Sequence, residues 1–546
     1  MKIKALGAVG TVTGSCFRIE MDDGHQVLLD CGLFQGGRQT ELRNTNTGVY
    51  DPKNTSAIVI THAHMDHSGL VPRLVKAGYR GPVFATEATA ELLRILWLDA
   101  ANIQEQEAVW KSRKNRRQGK RDVEPLYTED DARLAMTLLR PLSMAEGHQI
   151  VPGLTLRYVP AGHILGAASA HFTAQENGGG PRRVAFSGDI GRTGQLLMPD
   201  PETLPETDTL FMETTYGNRR HKDMGPSVDE LLAAVNAAYR EGGKILIPAF
   251  AVERTQEILL LLARAWHDET IPRDLPIILD SPLATQALEI YTHHVNLFDQ
   301  ETQDFLARGM GQETLPSLRI TRDAQESQRL NDIKGPALII AGSGMANAGR
   351  ILHHLKHNLW RPNCHVIFVG FQAQGTTGRR LVEGAKVVKI FREPVNVEAK
   401  IHTIGGFSGH ADQSELMAWL GRLAHPGLTV NLIHGEPSST REFYDLAKSA
   451  YPEVIFNIPS WLHYAALAAE EPVSTEGEPL EKPEATPVDE VVTRSLTNRL
   501  ERLLSQTASV GTLDPDQLAR LESYLDQAES LLLSKVAQAE ASANGG

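Results

Sequence analysis

The sequence predicts a mixed α/β protein: a β-rich domain interrupted by an inserted βα block and followed by a helical tail. Three observations predict it. Short β-like runs separated by turn residues fill the first third and return at 399–433. The block between, from about 209 to 391, alternates apolar strands with helical stretches, and the residues beyond 470 turn acidic and then helical in period. A chain of 546 residues is too long for one ordinary core, so two or three domains are expected.

Residues 2–8, 16–21 and 26–30 alternate or run apolar, with Gly10, Gly14 and Gly24 between them. Residues 57–61 (AIVIT) form a short apolar run of the buried-strand kind that ends at His62. Leu70, Val71, Leu74 and Val75 then fall at helical spacing, and residues 82–85, 154–159, 183–186 and 209–212 are further strand candidates. In the middle block, 244–248, 276–279, 337–340 and 365–369 are apolar strands separated by helical stretches such as 254–266. That alternation is the pattern of βα units on a mostly parallel sheet. The boundaries that follow are 1–208 and 392–464 for the β-rich domain and 209–391 for the insert.

Residues 465–490 read as a linker, since 470–490 (EEPVSTEGEPLEKPEATPVDE) is acidic, rich in Pro and poor in large apolar residues. In the tail, 491–546, two stretches have helical period, and Asp514-Pro515 marks a helix start. Helices of that size bury little alone, so they are expected to pair with each other, with the body, with a protein partner, or across a homodimer.

The formal charge of −13 argues at first sight against a nucleic-acid partner. However, residues 470–546 hold 15 acidic and 6 basic side chains, a net of −9, which leaves the first 469 residues near neutral at −4. Cys16, Cys31 and Cys364 contain no Cys-x-x-Cys pair and are expected as small buried residues in a reducing compartment. No apolar run approaches the roughly 18 residues of a membrane span. The opening MKIKALG has no apolar segment followed by a cleavage site. A cytoplasmic protein without a membrane partner is expected.

The stretch 61–69 (THAHMDHSG) places three imidazoles and a carboxylate within six residues, a dense set of ligands for Zn²⁺ or a similar ion. His62 and His64 would share one side of an extended segment while Asp66 and His67 turn elsewhere. One loop could therefore face two ions about 3.5–4 Å apart, as in two-metal hydrolases. Asp30, His163, Asp189, Glu213, His410 and His434 recur in the same setting, an apolar strand running into a Gly-containing turn. Any one of them alone reads equally well as a cap or turn residue. Their recurrence around the HxHxDH loop favours a site.

The order Asp30, His62-x-His64-x-Asp66-His67, His163, Asp189 resembles the metallo-β-lactamase superfamily, with its αββα sandwich and dinuclear metal site. Glu213, His410 and His434, with a large insert between them, resemble the β-CASP branch, whose RNA-processing members show similar GFSGHAD and IHGE segments. The resemblance spans about residues 1–460. It implies that His62, His64 and His163 bind one divalent ion, that Asp66, His67 and His434 bind the other, and that Asp189 bridges them. It implies Asp30 as the residue orienting the ligand loop. His410, held by Glu213, would be the general acid that protonates the leaving oxygen after hydroxide attack on phosphorus. DNA-acting members typically carry valine at the position of His434, so histidine here implies RNA.

Ala341-Gly342-Ser343-Gly344-Met345 follows a buried strand and could present backbone N–H groups to phosphate, or be an ordinary βα turn. By resemblance, Ser343, Gly344 and Ser408 are substrate contacts, and 370–380 is the branch's loop near the cleft. Residues 111–121 (KSRKNRRQGKR) carry 7 basic side chains in 11 and could track a phosphate backbone or be a solvated helix end. No aromatic is interleaved in that run, so base stacking there is not expected. The expected function is zinc-dependent ribonuclease activity, endonucleolytic, 5′-exonucleolytic or both. The alternatives are a hydrolase of a small thioester or lactam, which would need neither the insert nor His410 with Glu213, and a non-catalytic RNA-binding scaffold, which would have lost metal ligands.

Overall fold

The computed structural model describes residues 1–175, 180–309 and 314–467. The linker expected from 465 lies almost wholly outside the described residues, and the helical tail does so entirely.

Two sheets face each other. The first holds Lys2–Ala5, Phe17–Glu20, Gln26–Leu29, Ala57–Val59, Val83–Thr86 and Leu139–Leu142 in that spatial order, antiparallel for the first three strands and parallel after. The second runs Ile455–Asn457, Thr429–Ile433, Thr209–Glu213, Arg182–Phe186, Ala168–Ala174, Leu154–Pro160, Gly147–Val151. Side chains alternate between faces along each strand. Val27, Leu29, Val59, Phe186 and Phe211 point between the sheets, where Phe186 stacks on Phe211 at 4.3 Å between centroids. Leu28 and Ile58 point the other way, onto the helices Val71–Lys76 and Glu87–Arg116, where Trp97 is fully buried. On the far side of the second sheet, Leu210, Met212 and Leu432 meet Trp419 and Phe443 of helices Gln413–Gly421 and Pro437–Ala450. The layering is helix, sheet, sheet, helix: the expected αββα sandwich.

The inserted block forms a third sheet, wholly parallel, in the order Leu318–Ile320, Ile277–Leu279, Ala337–Ala341, Lys244–Pro248, His365–Phe368, Lys400–Thr403. Both faces are covered, so its central strands send apolar side chains to both sides: Ile245 and Ile247 face one core and Leu246 the other. A hairpin with a two-residue turn, Val387–Ile390 with Glu393–Asn396, packs into the second of these cores through Val388, Ile390 and Val395.

Pairing shifts both crossings between the sandwich and the insert. Thr209–Glu213, expected to open the insert, pairs with Arg182–Phe186 and Thr429–Ile433 in the sandwich. Lys400–Thr403, expected in the returning β-rich domain, is an edge of the inserted sheet. Both runs are short and apolar or alternating, and nothing local in them says which sheet takes them up. Strands at Leu139–Leu142, Gly147–Val151, Ala168–Ala174 and Ile455–Asn457 were not predicted.

Candidate active site

Ligand-type side chains gather where strands of the two facing sheets end. Asp30 follows Gln26–Leu29, and His62 and His64 follow Ala57–Val59. Asp66 and His67 lie on the one-turn helix Met65–Ser68, His163 follows Leu154–Pro160, Asp189 follows Arg182–Phe186, and His434 follows Thr429–Ile433. Asp30 (φ 56°) and His434 (φ 46°) adopt the left-handed region, which Asp and His enter more readily than most residues. Glycines let the loops converge: a Cβ on Gly32 would sit 1.6 Å from the Asp66 carbonyl oxygen, and one on Gly191 would sit 1.9 Å from that of Gly162.

The donor atoms form two sets that share Asp189. In one, His62 Nε2 and His163 Nε2 each lie 3.2 Å from His64 Nδ1. They lie 3.5 and 3.6 Å from Asp189 Oδ2. In the other, His67 Nε2 lies 3.2 Å from His434 Nε2 and 3.3 Å from Asp189 Oδ1. Asp66 Oδ2 is 3.9 Å from His434 Nε2. Imidazole nitrogens bound tetrahedrally at zinc–nitrogen lengths would stand about 3.3 Å apart, so this spacing fits a shared cation. Asp189 Oδ1 is buried with no hydrogen-bond partner among the described residues, an orphaned acceptor that a cation would satisfy. The residues present therefore fit divalent metal ions.

Electrostatics agree for His62 and His163, whereas at His67 burial is outweighed by the carboxylates of Asp189 and Asp30, which hold the imidazole well above its usual range. Burial, reinforced by His67, holds the His62 imidazole well below its usual range, and burial with His410 does the same for His163, so both present lone pairs. Burial would raise the Asp189 carboxyl, but His434, His67 and His410 outweigh it and hold it well below the carboxylate range.

A further layer of contacts aims the rings. Asp30 Oδ2 lies 2.7 Å from His67 Nδ1 and accepts from Ser15 Oγ, while its Oδ1 accepts the Thr61 N–H at 2.8 Å. That leaves Nε2 of His67 facing the site. The Gly409 carbonyl lies 2.8 Å from His163 Nδ1 and acts likewise. Thr61 Oγ1 is 3.1 Å from His62 Nδ1, and Thr215 Oγ1 is 3.1 Å from His434 Nδ1. Neither threonine was singled out from sequence, although each stands beside a motif residue.

His410 closes one side. Its Nδ1 lies 3.3 Å from Glu213 Oε2, and its Nε2 is 3.8 Å from Asp189 Oδ2. Burial alone would lower this imidazole, but Glu213 and Asp189 raise it to about 9. Glu213 Oε1 accepts the Ile190 N–H, and Ala411 N–H donates to Ile190 O at 2.8 Å. Arg192 donates to the carbonyls of Gly406 and Lys222 and further joins the Asp189 loop to the His410 loop; sequence reasoning missed it.

Of the predicted substrate residues, Ser343 and Gly344 make their contacts within the insert, and Ser408 adjoins the ligand cluster through His410. Ser343 Oγ accepts from the N–H groups of Asn347 and Ala348, each at 3.2 Å, and Gly344 O accepts from Gln372. Ser408 Oγ accepts from His410 N–H at 3.3 Å, so it shapes the His410 turn. The basic run begins on the last turns of helix Glu87–Arg116. Trp110, directly before it, is half exposed, with Lys114 Nζ 5.8 Å and the Arg392 guanidinium 5.5 Å from its ring. The aromatic thus adjoins the run in sequence, and the fold brings Arg392 onto it.

Residues 9–235 match the metallo-beta-lactamase superfamily, 255–381 the Beta-Casp domain, and 394–458 the Zn-dependent metallo-hydrolase RNA specificity domain. Ribonuclease TTHA0252 of Thermus thermophilus is 40% identical over 436 residues, covering 80% of this chain and 93% of that protein. Transcription termination factor FttA of Methanocaldococcus jannaschii is 30% identical over 464 residues, covering 83% of this chain and 69% of that protein. Its namesake in Methanothermobacter thermautotrophicus is 32% identical, covering 82% and 69%.

Proposed function

The chain belongs to the β-CASP branch of the metallo-β-lactamase superfamily, and on that premise we propose how its residues divide the work of hydrolysing RNA. The activity class is metal-dependent hydrolysis of RNA by a nuclease. The observation that carries the residue assignment is the pair of donor sets, each with nitrogens 3.2 Å apart, that meet at the orphaned Asp189 oxygen.

His62, His64 and His163 would hold one divalent ion and Asp66, His67 and His434 the other, with Asp189 serving both. Zinc is the ion that a histidine-rich, tetrahedrally spaced set favours. When bound, two such cations acidify water at neutral pH and neutralise phosphate charge. Asp30 keeps the His67 ring oriented. His410, charged beside Glu213 and partly open to solvent, donates its Nε2 proton to the departing ribose oxygen. The small-substrate alternative is not favoured, because a thioester or lactam would use neither the parallel-sheet insert nor the His410–Glu213 pair. Ser343 and Ser408 support the cleft through backbone groups, since their hydroxyls are engaged within their own loops, and the Gly344 carbonyl ties its loop to Gln372 of the 370–380 loop. A cytoplasmic setting fits an RNA substrate and three buried free cysteines. Among the described residues, no helix is long and apolar enough to cross a membrane.

The test is cleavage of one RNA labelled at either end, bearing a 5′-phosphate or a 5′-hydroxyl, with the metal content of the protein measured alongside. Mononucleotides from the 5′ end indicate an exonuclease and discrete internal fragments an endonuclease. Full activity of an Asp189→Ala protein shown to lack the second metal would sink the two-metal assignment.

A further inference from the structure

We propose that Phe391, Arg392 and Trp110 form a single-stranded RNA track that continues from the cleft beside loop 342–350 to the basic end of helix Glu87–Arg116. The inference rests on the RNA-cleaving reading above and names a second contact surface for the same substrate.

The hairpin turn is the first observation. Ile390 pairs with Glu393, so Phe391 and Arg392 are its two central residues, and both have positive φ, 50° and 70°. A turn of this kind is built at least cost by Asn-Gly, because bulky side chains are strained at positive φ. This chain instead places an aromatic and a guanidinium there, and Phe391 is 47% exposed. The turn's backbone does not explain that choice; a ligand that stacks on one residue and ion-pairs with the other does.

The two side chains point to two different neighbours. The Phe391 ring lies 4.6 Å from that of His353. It lines an open cleft of about 530 Å³ shared with Asn347, Arg350, Lys389 and Thr377, next to the loop that carries Ser343; Lys389 is its cation, since Arg350 pairs with Asp280 at 2.6 Å. Arg392 lies over the Trp110 ring from the sandwich domain's helix, with Lys114 beside it. Beyond Trp110, Lys111 pairs with Glu107 and Arg116 with Asp122. Arg113, Arg117, Lys120 and Arg121 have no ion pair among the described residues.

Helix geometry sets the scale. The helix starts beside the metal loop, where Thr89 Oγ1 donates to Gly166 O at 2.9 Å, three residues past His163. At 1.5 Å per residue, Trp110 lies roughly 32 Å further along. A strand whose scissile phosphate sits at the metal site would need several nucleotides to reach it. Exposed aromatics alternating with cations are what sequence-tolerant binding of single strands requires.

The experiment compares the full, metal-loaded chain with Trp110→Ala and with Phe391→Asn/Arg392→Gly. Each is assayed on a long single-stranded RNA and on an oligonucleotide too short to leave the metal site, with thermal unfolding measured in parallel. For the long RNA, kcat/KM should fall about 5- to 100-fold through KM, the effect of a lost base stack. For the short one it should not change. Losing Arg392 should also flatten the dependence of long-RNA binding on salt by about 0.7 in log–log slope. The Asn-Gly turn should leave the unfolding midpoint unchanged or raised, so a loss on long RNA cannot be a folding defect. Equal losses on both substrates, or a lowered midpoint with the long-to-short ratio intact, would make Arg392–Trp110 a clamp between domains and overturn the track. If the wild type cleaves neither RNA, the active-site reading fails; filter retention of the long RNA then decides the track separately, which stands if Trp110→Ala weakens retention and falls if it does not.

Discussion

Glu213 holds His410 from below: its Oε2 lies 3.3 Å from His410 Nδ1 while its Oε1 accepts the Ile190 N–H, so the carboxylate cannot turn away without breaking a buried bond. His410→Ala should therefore slow RNA cleavage by about 10²–10⁴-fold under conditions where chemistry is limiting. A general acid must be protonated, so activity is lost as pH rises through the His410 pKa. Glu213 and Asp189 raise that pKa against the opposing effect of burial, so Glu213→Gln should move the alkaline limb of the kcat/KM profile to lower pH. An unmoved limb would deny His410 the acid role.

Asp30 touches no substrate, yet it fixes His67 through the 2.7 Å contact to Nδ1 and ties that ring to Ser15 and Thr61. Asp30→Asn should lower metal affinity by about 10–100-fold. Metal content after dialysis against a weak chelator reads this directly, and activity should recover when excess Zn²⁺ is supplied. Failure of excess metal to restore activity would show that Asp30 does more than orient the ring.

Cation binding should appear as stability. A ligand at a hundred times its Kd that binds only the folded state contributes about 2.7 kcal/mol. Adding Zn²⁺ to chelator-treated protein should raise the denaturant midpoint, and Asp189→Ala, which removes the carboxylate common to both donor sets, should show a much smaller rise. Equal rises in both proteins would place the cation elsewhere.

The ligand positions were legible in the sequence because metal chemistry leaves a local trace: four donors in the 61–69 stretch, and single donors at strand ends next to glycine. What was not legible depends on partners distant in the chain. Thr209–Glu213 and Lys400–Thr403 looked interchangeable, since only pairing with Thr429–Ile433 or His365–Phe368 assigns each to its sheet. Trp110 was passed over because one of the two cations on its ring, Arg392, comes from the other domain. Thr61 and Thr215 passed for ordinary strand-end threonines, their hydroxyls meaningful only once His62 and His434 face them.

Where the insert meets the metal loops, Glu253 is fully buried, adopts φ 70°, and accepts the Tyr291 hydroxyl. Burial, with the nearby Glu257 carboxylate adding to it, pushes Glu253 up to about 8. The unfolded chain ionises this group near its ordinary 4.5, so between that value and about 8 the folded state holds a proton that the unfolded state has released. Stability contributed by Glu253 is thus complete below 4.5, declines as pH rises, and is gone above about 8. Glu253→Gln keeps an acceptor for Tyr291 and removes the titration. Its urea midpoint relative to wild type should climb steadily from pH 5 to about 8 and then level off. A difference that does not vary with pH would mean that Glu253 is ionised in the folded protein.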